Sequence, residues 1–445
     1  MAGSTKGSST GAGAGAPEFS AAVRKSILTT LFFSLLLDLL SFTLILPLFP
    51  RLLDFYRSQP NNTLLDSIFT FLNAFKQSFH RPISSRFDVV LLGGALGSLF
   101  SLLQAIASPI IGALSDRYGR RTALLYSMAG NIASVALWVS ASTFPVFLAS
   151  RVIGGLSEGN VQLAIAIATD VSTTENRGHT LALVGVAFSI AFTLGPMMGA
   201  YMSSKTLSLE NPFMTTALFS LALLVAETLF LYFKLPETRR TRTEEQKASA
   251  KPVDSKGLGL LKFTHLAFLL IFSGMEFSLP FMTYDLFNYS SAQNGRVLGF
   301  IGLLASLLQG GFSRRAKASV VAKIGLVSSA LSFFLLAKTN SQGMLYLAAA
   351  FLAVTSACVV TALNTLASLR VGEENRGRGM GEFRSAGQIG RAIGPVLFCS
   401  LYWWAGRDAA YITGGVGMSL LTAVAWKGLV DPAANVEEMK TKKKA

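Results

Sequence analysis

The most informative segment of the chain is Gly112-Ala-Leu-Ser-Asp116-Arg117-Tyr-Gly119-Arg120-Arg121. It lies between two apolar runs, about 89–111 and 122–142, each long enough to cross a bilayer as a helix, which needs about 20 apolar residues. Glycine permits a tight turn and close helix approach, and arginines favour the cytoplasmic side of a membrane. A positive-inside loop would explain the arginines alone, but not an acid followed by Arg-x-Gly-Arg-Arg. The stretch therefore predicts a very short cationic hairpin between two membrane helices.

Composition also indicates a membrane protein. Hydrophobic residues make up 51% of the 445 residues and charged residues 14%, whereas about a quarter of a soluble domain is charged. The formal net charge of +15 would also fit a nucleic-acid-binding protein. The 39 Lys and Arg residues concentrate, however, in the loops on one side of the predicted helices. That asymmetry indicates membrane topology and excludes nucleic acid as the expected partner.

Short segments recur along the chain at a spacing of 199 residues. The pairs are Glu175-Asn-Arg-Gly178 with Glu374-Asn-Arg-Gly377, Gly195-Pro196 with Gly394-Pro395, and Gly112 with Gly311. A repeat of this length predicts two pseudo-symmetric bundles of six helices, that is, an all-α polytopic membrane protein with 12 transmembrane helices. In the second copy of the hairpin, Arg315 stands where the first copy has Asp116. We therefore expect only the first hairpin to keep its full chemistry.

Composition divides the chain into five segments. They are a disordered cytoplasmic tail at 1–26, an N-terminal bundle at 27–235 with a long outer loop at 51–87, a charged cytoplasmic linker at 236–262, a C-terminal bundle at 263–430 and a basic cytoplasmic tail at 431–445. The first tail lacks apolar periodicity, which is typical of disorder. Glycosylation of Asn61 or Asn288 is left open, because it requires an external or lumenal location.

Charged side chains occur inside several predicted membrane helices, where a charge is costly enough to indicate a function. The acids Asp38, Glu158 and Glu276 are candidates for binding a proton, and the arginines Arg151, Arg384 and Arg391 are candidates for lining a substrate cavity. Arg151 and Glu158 lie seven residues apart on a predicted helix at about 145–170, so we expect them to share one face. The same spacing places Arg384 and Arg391 on one face of a predicted helix at 380–404.

Other interpretations of these charges remain open. Asp38 could simply be hydrogen-bonded to a neighbouring helix. For the two arginines at 384 and 391, either Glu276 neutralises one and leaves the other free, or both line a cavity and attract an anion. Guanidinium groups suit carboxylate and sulfonate ligands because they offer paired, planar donors. A third interpretation pairs both arginines with acids for packing alone.

Motifs typical of enzymes are absent or out of context. Gly155-Leu-Ser157-Glu-Gly159 has the spacing of a hydrolase elbow, but it falls inside an apolar helix and the three histidines are isolated. Cys358 and Cys399 fall within predicted helices, so neither a disulfide nor a metal site is expected. The sequence also lacks a phosphate-binding loop for ATP. We expect no enzymatic activity and no cofactor.

The decapeptide at 112–121 resembles the signature of the major facilitator superfamily, Gly-x-x-x-Asp-Arg-x-Gly-Arg-Arg, and it falls between the second and third membrane helices as that family requires. The resemblance implies a gate built from Gly112, Asp116, Arg117, Gly119, Arg120, Arg121 and Asp170. It also implies two contacts. Asp116 should face the amino-terminal end of the eleventh membrane helix, and Arg120 should reach Asp170 at the end of the fourth.

Two other segments carry narrower resemblances. Asp38 with Pro47 and Pro50 resembles the first helix of bacterial tetracycline efflux antiporters, and Gly195-Pro196-Met-Met-Gly199 resembles the antiporter motif of drug–proton exchangers. A packing kink without bearing on transport direction is the alternative for the second segment. From about residue 27 to 430 the chain resembles the eukaryotic tetracycline-transporter-like proteins of the superfamily, which are described as organic anion or drug transporters.

Together these features predict a secondary active transporter that couples proton movement to efflux of amphipathic organic solutes, drugs or organic anions, by alternating access. The alternatives are an organic-anion facilitator or uptake carrier and, in another class, a transporter-like receptor or scaffold. The expected partners are a small organic substrate, protons and the lipid bilayer. We expect a monomer in the plasma membrane or an endomembrane, with both termini cytoplasmic.

Overall fold

The computed structural model describes residues 19–45, 48–59, 63–78, 88–173, 175–203, 211–239 and 255–431, and the regular structure in these ranges is helical. The helices of the N-terminal half are α1 (Ala21–Thr43), α2 (Phe49–Arg57), α3 (Thr63–Gln77), α4 (Asp88–Tyr118), α5 (Arg120–Val139), α6 (Phe144–Ser157), α7 (Asn160–Asp170), α8 (Arg177–Ser203) and α9 (Met214–Lys234). Those of the C-terminal half are α10 (Ser255–Phe287), α11 (Ser291–Leu308), which continues as a π-helical turn at Gln309–Ser313, α12 (Ala318–Ala337), α13 (Gln342–Arg370), α14 (Arg376–Ala405) and α15 (Arg407–Trp426).

Twelve of these segments are long enough to cross a membrane. Within the described ranges, 11 meet both the length and the hydropathy expected of a membrane span, with α6 and α7 together forming one of them. The twelfth is α14, whose 30 residues extend about 45 Å but whose first half carries several charges. The predicted all-α fold with 12 membrane helices is therefore confirmed.

The two halves meet mainly where α4 and α8 of the N-terminal half pack on helices of the C-terminal half. The helix α4 packs antiparallel along α14, and α8 packs against α11 and α13. On the α4 side the backbones are nearly in contact, since a Cβ atom at Gly381 would lie 2.3 Å from the carbonyl oxygen of Ser108. On the α8 side polar side chains meet, as where Ser189 Oγ donates to Gln309 Oε1 at 2.7 Å. The end of the molecule where α4 ends and α14 begins is called the gate end below.

Several helix ends differ from the predicted segment boundaries. Residues 21–26, assigned to the first tail, are helical because the Ser20 side chain caps α1 by accepting from the Val23 N–H at 3.3 Å. Residues 255–262 of the predicted linker form the start of α10, where an ion pair of 2.6 Å from Lys262 to Glu382 joins α10 to α14. The assignments of 1–18, 240–254 and 432–445 lie outside the described residues.

The predicted outer loop at 51–87 contains most of α2 and all of α3. Tyr56 on α2 is fully buried, and its hydroxyl donates to the carbonyl oxygen of Ala141 at 2.8 Å, which ties this segment to the end of α5. Asn61 lies outside the described residues. Asn288 lies in the exposed turn after α10, where its φ of 52° is of the left-handed kind that asparagine tolerates.

Candidate functional site

A single residue, Gly119, connects α4 to α5. Its φ of 101° is a conformation that residues with a Cβ rarely adopt. The carboxylate of Glu237 accepts from the backbone N–H groups of Arg120 at 2.8 Å and Arg121 at 3.1 Å, so it caps the start of α5. Arg117 is also held here, since its carbonyl oxygen accepts from Arg239 Nη1 at 2.7 Å. The short hairpin is therefore fixed by residues that follow the sixth membrane helix.

Asp116 joins the two halves of the molecule. Its Oδ1 accepts from the N–H of Gly377 at 2.8 Å, and its Oδ2 accepts from the N–H of Arg378 at 2.7 Å. Both donors lie in the first turn of α14, where unpaired N–H groups and the helix dipole favour an anion. Gly112 permits this approach, because a Cβ there would lie 2.2 Å from the carbonyl oxygen of Gly377. The expected contact of Asp116 with the eleventh membrane helix is thus present.

Arg120 and Asp170 form the second part of the gate. Arg120 is 2% exposed, and it donates from Nε to Asp170 Oδ2 at 3.0 Å and from Nη1 to Asp116 Oδ1 at 2.6 Å. Asp170 also binds Arg376 Nη1 of the other half at 2.5 Å through Oδ1. We did not predict Arg376, although the repeated Asn-Arg-Gly segment that contains it was visible in the sequence. Asp170 therefore pairs with an arginine from each half.

The gate is not duplicated by the second hairpin. Gly311, the repeat partner of Gly112, lies in the π-helical turn, and a Cβ there would meet no heavy atom within 4 Å. Arg315, in the position of Asp116, has no carboxylate to offer to a helix end. The close inter-half backbone contact is therefore confined to one of the two related hairpins.

A cluster of buried charges lies between the halves, away from the gate end. Asp38 is 4% exposed and accepts from Asn160 Nδ2 at 2.8 Å, and Glu158 is 9% exposed and accepts from Asn131 Nδ2 at 3.1 Å. Both acids interact electrostatically with Arg384 of α14. The two asparagines were not predicted, although an amide in an otherwise apolar helix is the signal that would have found them.

The fourth predicted membrane helix is interrupted at this cluster, which corrects the expectation that Arg151 and Glu158 share one helix face. The helix α6 ends at Ser157, and Glu158 has a non-helical φ of −72° and ψ of 86°. The Ser127 hydroxyl donates to the carbonyl oxygen of Ser157 and accepts from the Gly159 N–H at 2.9 Å. That hydroxyl satisfies backbone groups that the break exposes.

Arg151 and Glu158 nevertheless line the same cavity, together with Asp38. The guanidinium of Arg151 lies over the rings of Trp138 and Phe147, with its carbon 5.7 Å and 5.6 Å from their centroids. The cavity measures about 40 Å³. That volume holds water but no organic solute, since ligand pockets span about 300–1,000 Å³.

Glu276 does not belong to the cluster. Its side chain is exposed, and no ion pair joins it to Arg384 or Arg391 in the described part of the chain. The interpretation in which Glu276 neutralises one of these arginines is therefore wrong, since the acids facing Arg384 come from the other half. Arg391 is half-buried and lies close enough to Arg384 for the two cations to repel each other. The described residues provide Arg391 with no ion pair.

The glycines of the Gly-Pro segment bring α8 against the end of α1. A Cβ at Gly195 would lie 1.8 Å from Thr43 Oγ1, and one at Gly199 would lie 2.0 Å from the carbonyl oxygen of Leu44. Pro196 lies between them, inside α8. These contacts give the segment a packing role, and its bearing on transport direction stays a prediction.

Comparisons with known proteins agree with this architecture. The family model described as Major Facilitator Superfamily matches residues 31–395 and 317–442. Major facilitator superfamily domain-containing protein 10 of Mus musculus is 34% identical over 94% of this chain and 96% of its own length. Tetracycline resistance protein, class E, of Escherichia coli is 28% identical over 69% of this chain and 78% of its own.

Among solved structures, the human organic anion transporter MFSD10 (TETRAN) matches with a TM-score of 0.83 and 32% identity, over 90% of this chain and 99% of that one. The motif at the gate end, the two bundles and the relatives identified over nearly the whole chain lead to one conclusion. This chain belongs to the major facilitator superfamily of multi-pass membrane transporters.

Proposed function

We propose that the protein is a secondary active transporter in which proton movement drives efflux of amphipathic organic solutes, organic anions among them, by alternating access. The observation that carries the proposal is the position of Arg384, which belongs to one half, donates to Gln104 Oε1 of the other at 3.4 Å, and lies near enough to attract the buried acids Asp38 and Glu158 of that other half. A proton on either acid weakens the attraction across the interface. Proton binding is therefore linked to separation of the halves.

The gate end is assigned to the cytoplasmic side, because the arginines of the hairpin lie at this end. With Asp116 and Asp170 joining the halves there, the structure corresponds to a form closed toward the cytoplasm. The cavity beside Asp38 is too small for an organic solute, so loading requires the halves to separate. Both termini are cytoplasmic in this assignment, and the protein acts as a monomer in the plasma membrane or an endomembrane.

The preference for organic anions rests on Arg391. Neither Arg384 nor Arg391 forms an ion pair in the described part of the chain, but Arg384 is attracted by two nearby acids, so Arg391 is the cation left for a ligand. Its planar, paired donors fit a carboxylate or a sulfonate. The human relative of solved structure is itself named an organic anion transporter, which supports the same substrate class.

The test is solute flux in proteoliposomes with an imposed pH gradient, against a panel of organic anions and lipophilic drugs. We expect uphill movement of an anionic solute that stops when a protonophore collapses the gradient. Flux that proceeds equally well without a gradient would instead identify a facilitator or uptake carrier. Solute binding without any flux would identify a transporter-like receptor.

A further inference from the structure

A buried polar seam joins α1 to α9 behind the charge cluster. Ser34 Oγ donates to Glu227 Oε1 at 2.7 Å. About two helical turns further from the gate end, the hydroxyls of Ser41 and Ser220 lie 2.6 Å apart. Asp38 lies between the two serines of α1, four residues after the first and three before the second, and so shares their face. The gate makes no use of this seam, which meets the charge cluster at Asp38.

Glu227 is the most deeply buried acid of the seam. Its side chain is 0% exposed, and its Oε2 has no hydrogen-bond partner among the described residues. The charged groups that interact with it are Asp38 of α1 and Glu158 of the α6–α7 break, both of them acids.

The other helices packed on α9 are α5 and α8. Their cationic side chains lie in their first turns at the gate end: Arg120 and Arg121 on α5, and Arg177 and His179 on α8. Those of α1 and α9 lie at the same end: Arg24 and Lys25 near the start of α1, and Lys234 in the last turn of α9. Glu227 lies seven residues, about two turns, from the gate end of α9, so these cations are not its counter-charges.

An ionised carboxylate in this setting would be strongly destabilised. Burial without a cation costs several kcal/mol, and nearby acids add repulsion. A neutral Glu227 avoids both costs, because its carboxyl group can donate its proton to the Ser34 hydroxyl, whose oxygen lies 2.7 Å away. The geometry therefore favours a protonated Glu227 whenever Asp38 is ionised.

We propose that Glu227 is a second proton-holding residue, which takes up the proton that Asp38 releases, one helical turn nearer the gate end. The transfer breaks the O–H bond at Asp38 and forms one at Glu227, with the Ser34 hydroxyl accepting one proton and giving up its own. The negative charge left on Asp38 faces Arg384 and the amide of Asn160. This inference rests on the proton coupling proposed above, and it adds a proton path inside the N-terminal half that the solute does not occupy.

The experiment compares wild-type protein with Glu227→Gln in proteoliposomes, by two kinds of flux. We expect Glu227→Gln to reduce the flux driven by a pH gradient by a factor of about ten or more, a change equivalent to about 1.4 kcal/mol. Solute exchange at equal pH should be retained. Glu227→Asp, which retains a carboxyl group, should restore part of the driven flux. Ser34→Ala should lower it, because the relay hydroxyl is lost. Thr216→Val is the matched control, since it alters a fully buried hydroxyl of the same helix, and neither flux should change.

Infrared difference spectra of the same samples report protonation directly. We expect a protonated-carboxyl C=O band in wild type that Glu227→Gln lacks. An identical spectrum for the two proteins, or driven flux in Glu227→Gln equal to that of wild type, overturns the assignment of Glu227 while leaving proton coupling intact. Wild-type flux that ignores the gradient would defeat the proposed function itself, and the proton path with it. Loss of driven flux and exchange in equal measure would reduce Glu227 to a packing residue.

Discussion

Replacement of Asp116 by Asn should open the gate end. The substitution removes the charge and one of the two oxygens that accept from the N–H groups of Gly377 and Arg378, at 2.8 Å and 2.7 Å. A hydrogen bond to a charged group contributes about 1.5–3 kcal/mol, and an anion at a helix N-terminus about 0.3–1 kcal/mol. We therefore expect the closed gate to lose about 2–3 kcal/mol, which raises the ratio of open to closed molecules by about 30–150-fold.

The assay is a distance distribution between two spin labels, one on each half. Thr122 at the start of α5 and Glu374 just before α14 are both exposed and lie at the gate end, so labels there report its opening. The natural Cys358 and Cys399 are buried, which keeps them from competing for the label. In Asp116→Asn we expect the longer-distance population to become the major one.

A matched control lies in the C-terminal half, which also contains α14, but at the end of the molecule opposite to the gate. Asp408 lies in the first turn of α15 and accepts from its neighbour Arg407 at 2.8 Å, so it is an acid at a helix N-terminus that joins no halves. Asp408→Asn should leave the label distances unchanged. Distances in Asp116→Asn that match those of wild type would refute the assignment of the gate.

Three further predictions concern the charge cluster and the glycines. Asp38→Asn should abolish the response of solute flux to a pH gradient while solute exchange is retained. If gradient-driven flux persists in this variant, either Glu158 is the coupling acid or coupling is not protonic. Arg391→Lys keeps the charge but loses the paired donors, so the binding of an organic anion should weaken by about 10–100-fold and that of a neutral drug hardly at all; equal losses in a binding titration would mean that Arg391 holds helices together. Gly112→Ala places a Cβ 2.2 Å from the carbonyl oxygen of Gly377, so it should lengthen the label distances and cost about 1–3 kcal/mol, whereas Gly311→Ala, with nothing within 4 Å, should not.

The gate was predicted through the resemblance of the decapeptide to the superfamily signature, and the hairpin that carries it is local in sequence. A one-residue link between two helices fixes where Asp116 and Arg120 point, and the unpaired N–H groups of a helix start attract the nearest acid. The pairing of Arg376 with Asp170 was missed, because it depends on how α7 and α14 are placed across the interface between the halves. No spacing along the chain encodes that distance.

The charge cluster was predicted only in part for a similar reason. Asp38, Glu158 and Arg384 were recognised as costly intramembrane charges, but their grouping depends on inter-half packing. The alternative in which Glu276 pairs with one of the arginines assumed that acids and arginines of one half would meet. The expectation that Arg151 and Glu158 share a face assumed an unbroken helix. The break could not be foreseen because the Ser127 hydroxyl that stabilises it is 31 residues away from Glu158 in sequence.

The break before α7 has a mechanical consequence. All 11 residues of α7 are buried, and the helix forms a rod about 16 Å long, with Glu158 two residues before its first residue and Asp170 as its last. Because helical hydrogen bonds do not hold Glu158, a few backbone torsions there can act as a pivot. When Glu158 gains a proton, we expect α7 to tilt as a rigid unit and to move Asp170 at its other end. The helix would then act as a short lever that connects the proton to the gate. Gly159→Ala, whose Cβ would press on Ile111 Cγ2 at 2.7 Å, should stiffen the pivot and reduce the effect of pH on the label distances; an undiminished effect would argue against the lever.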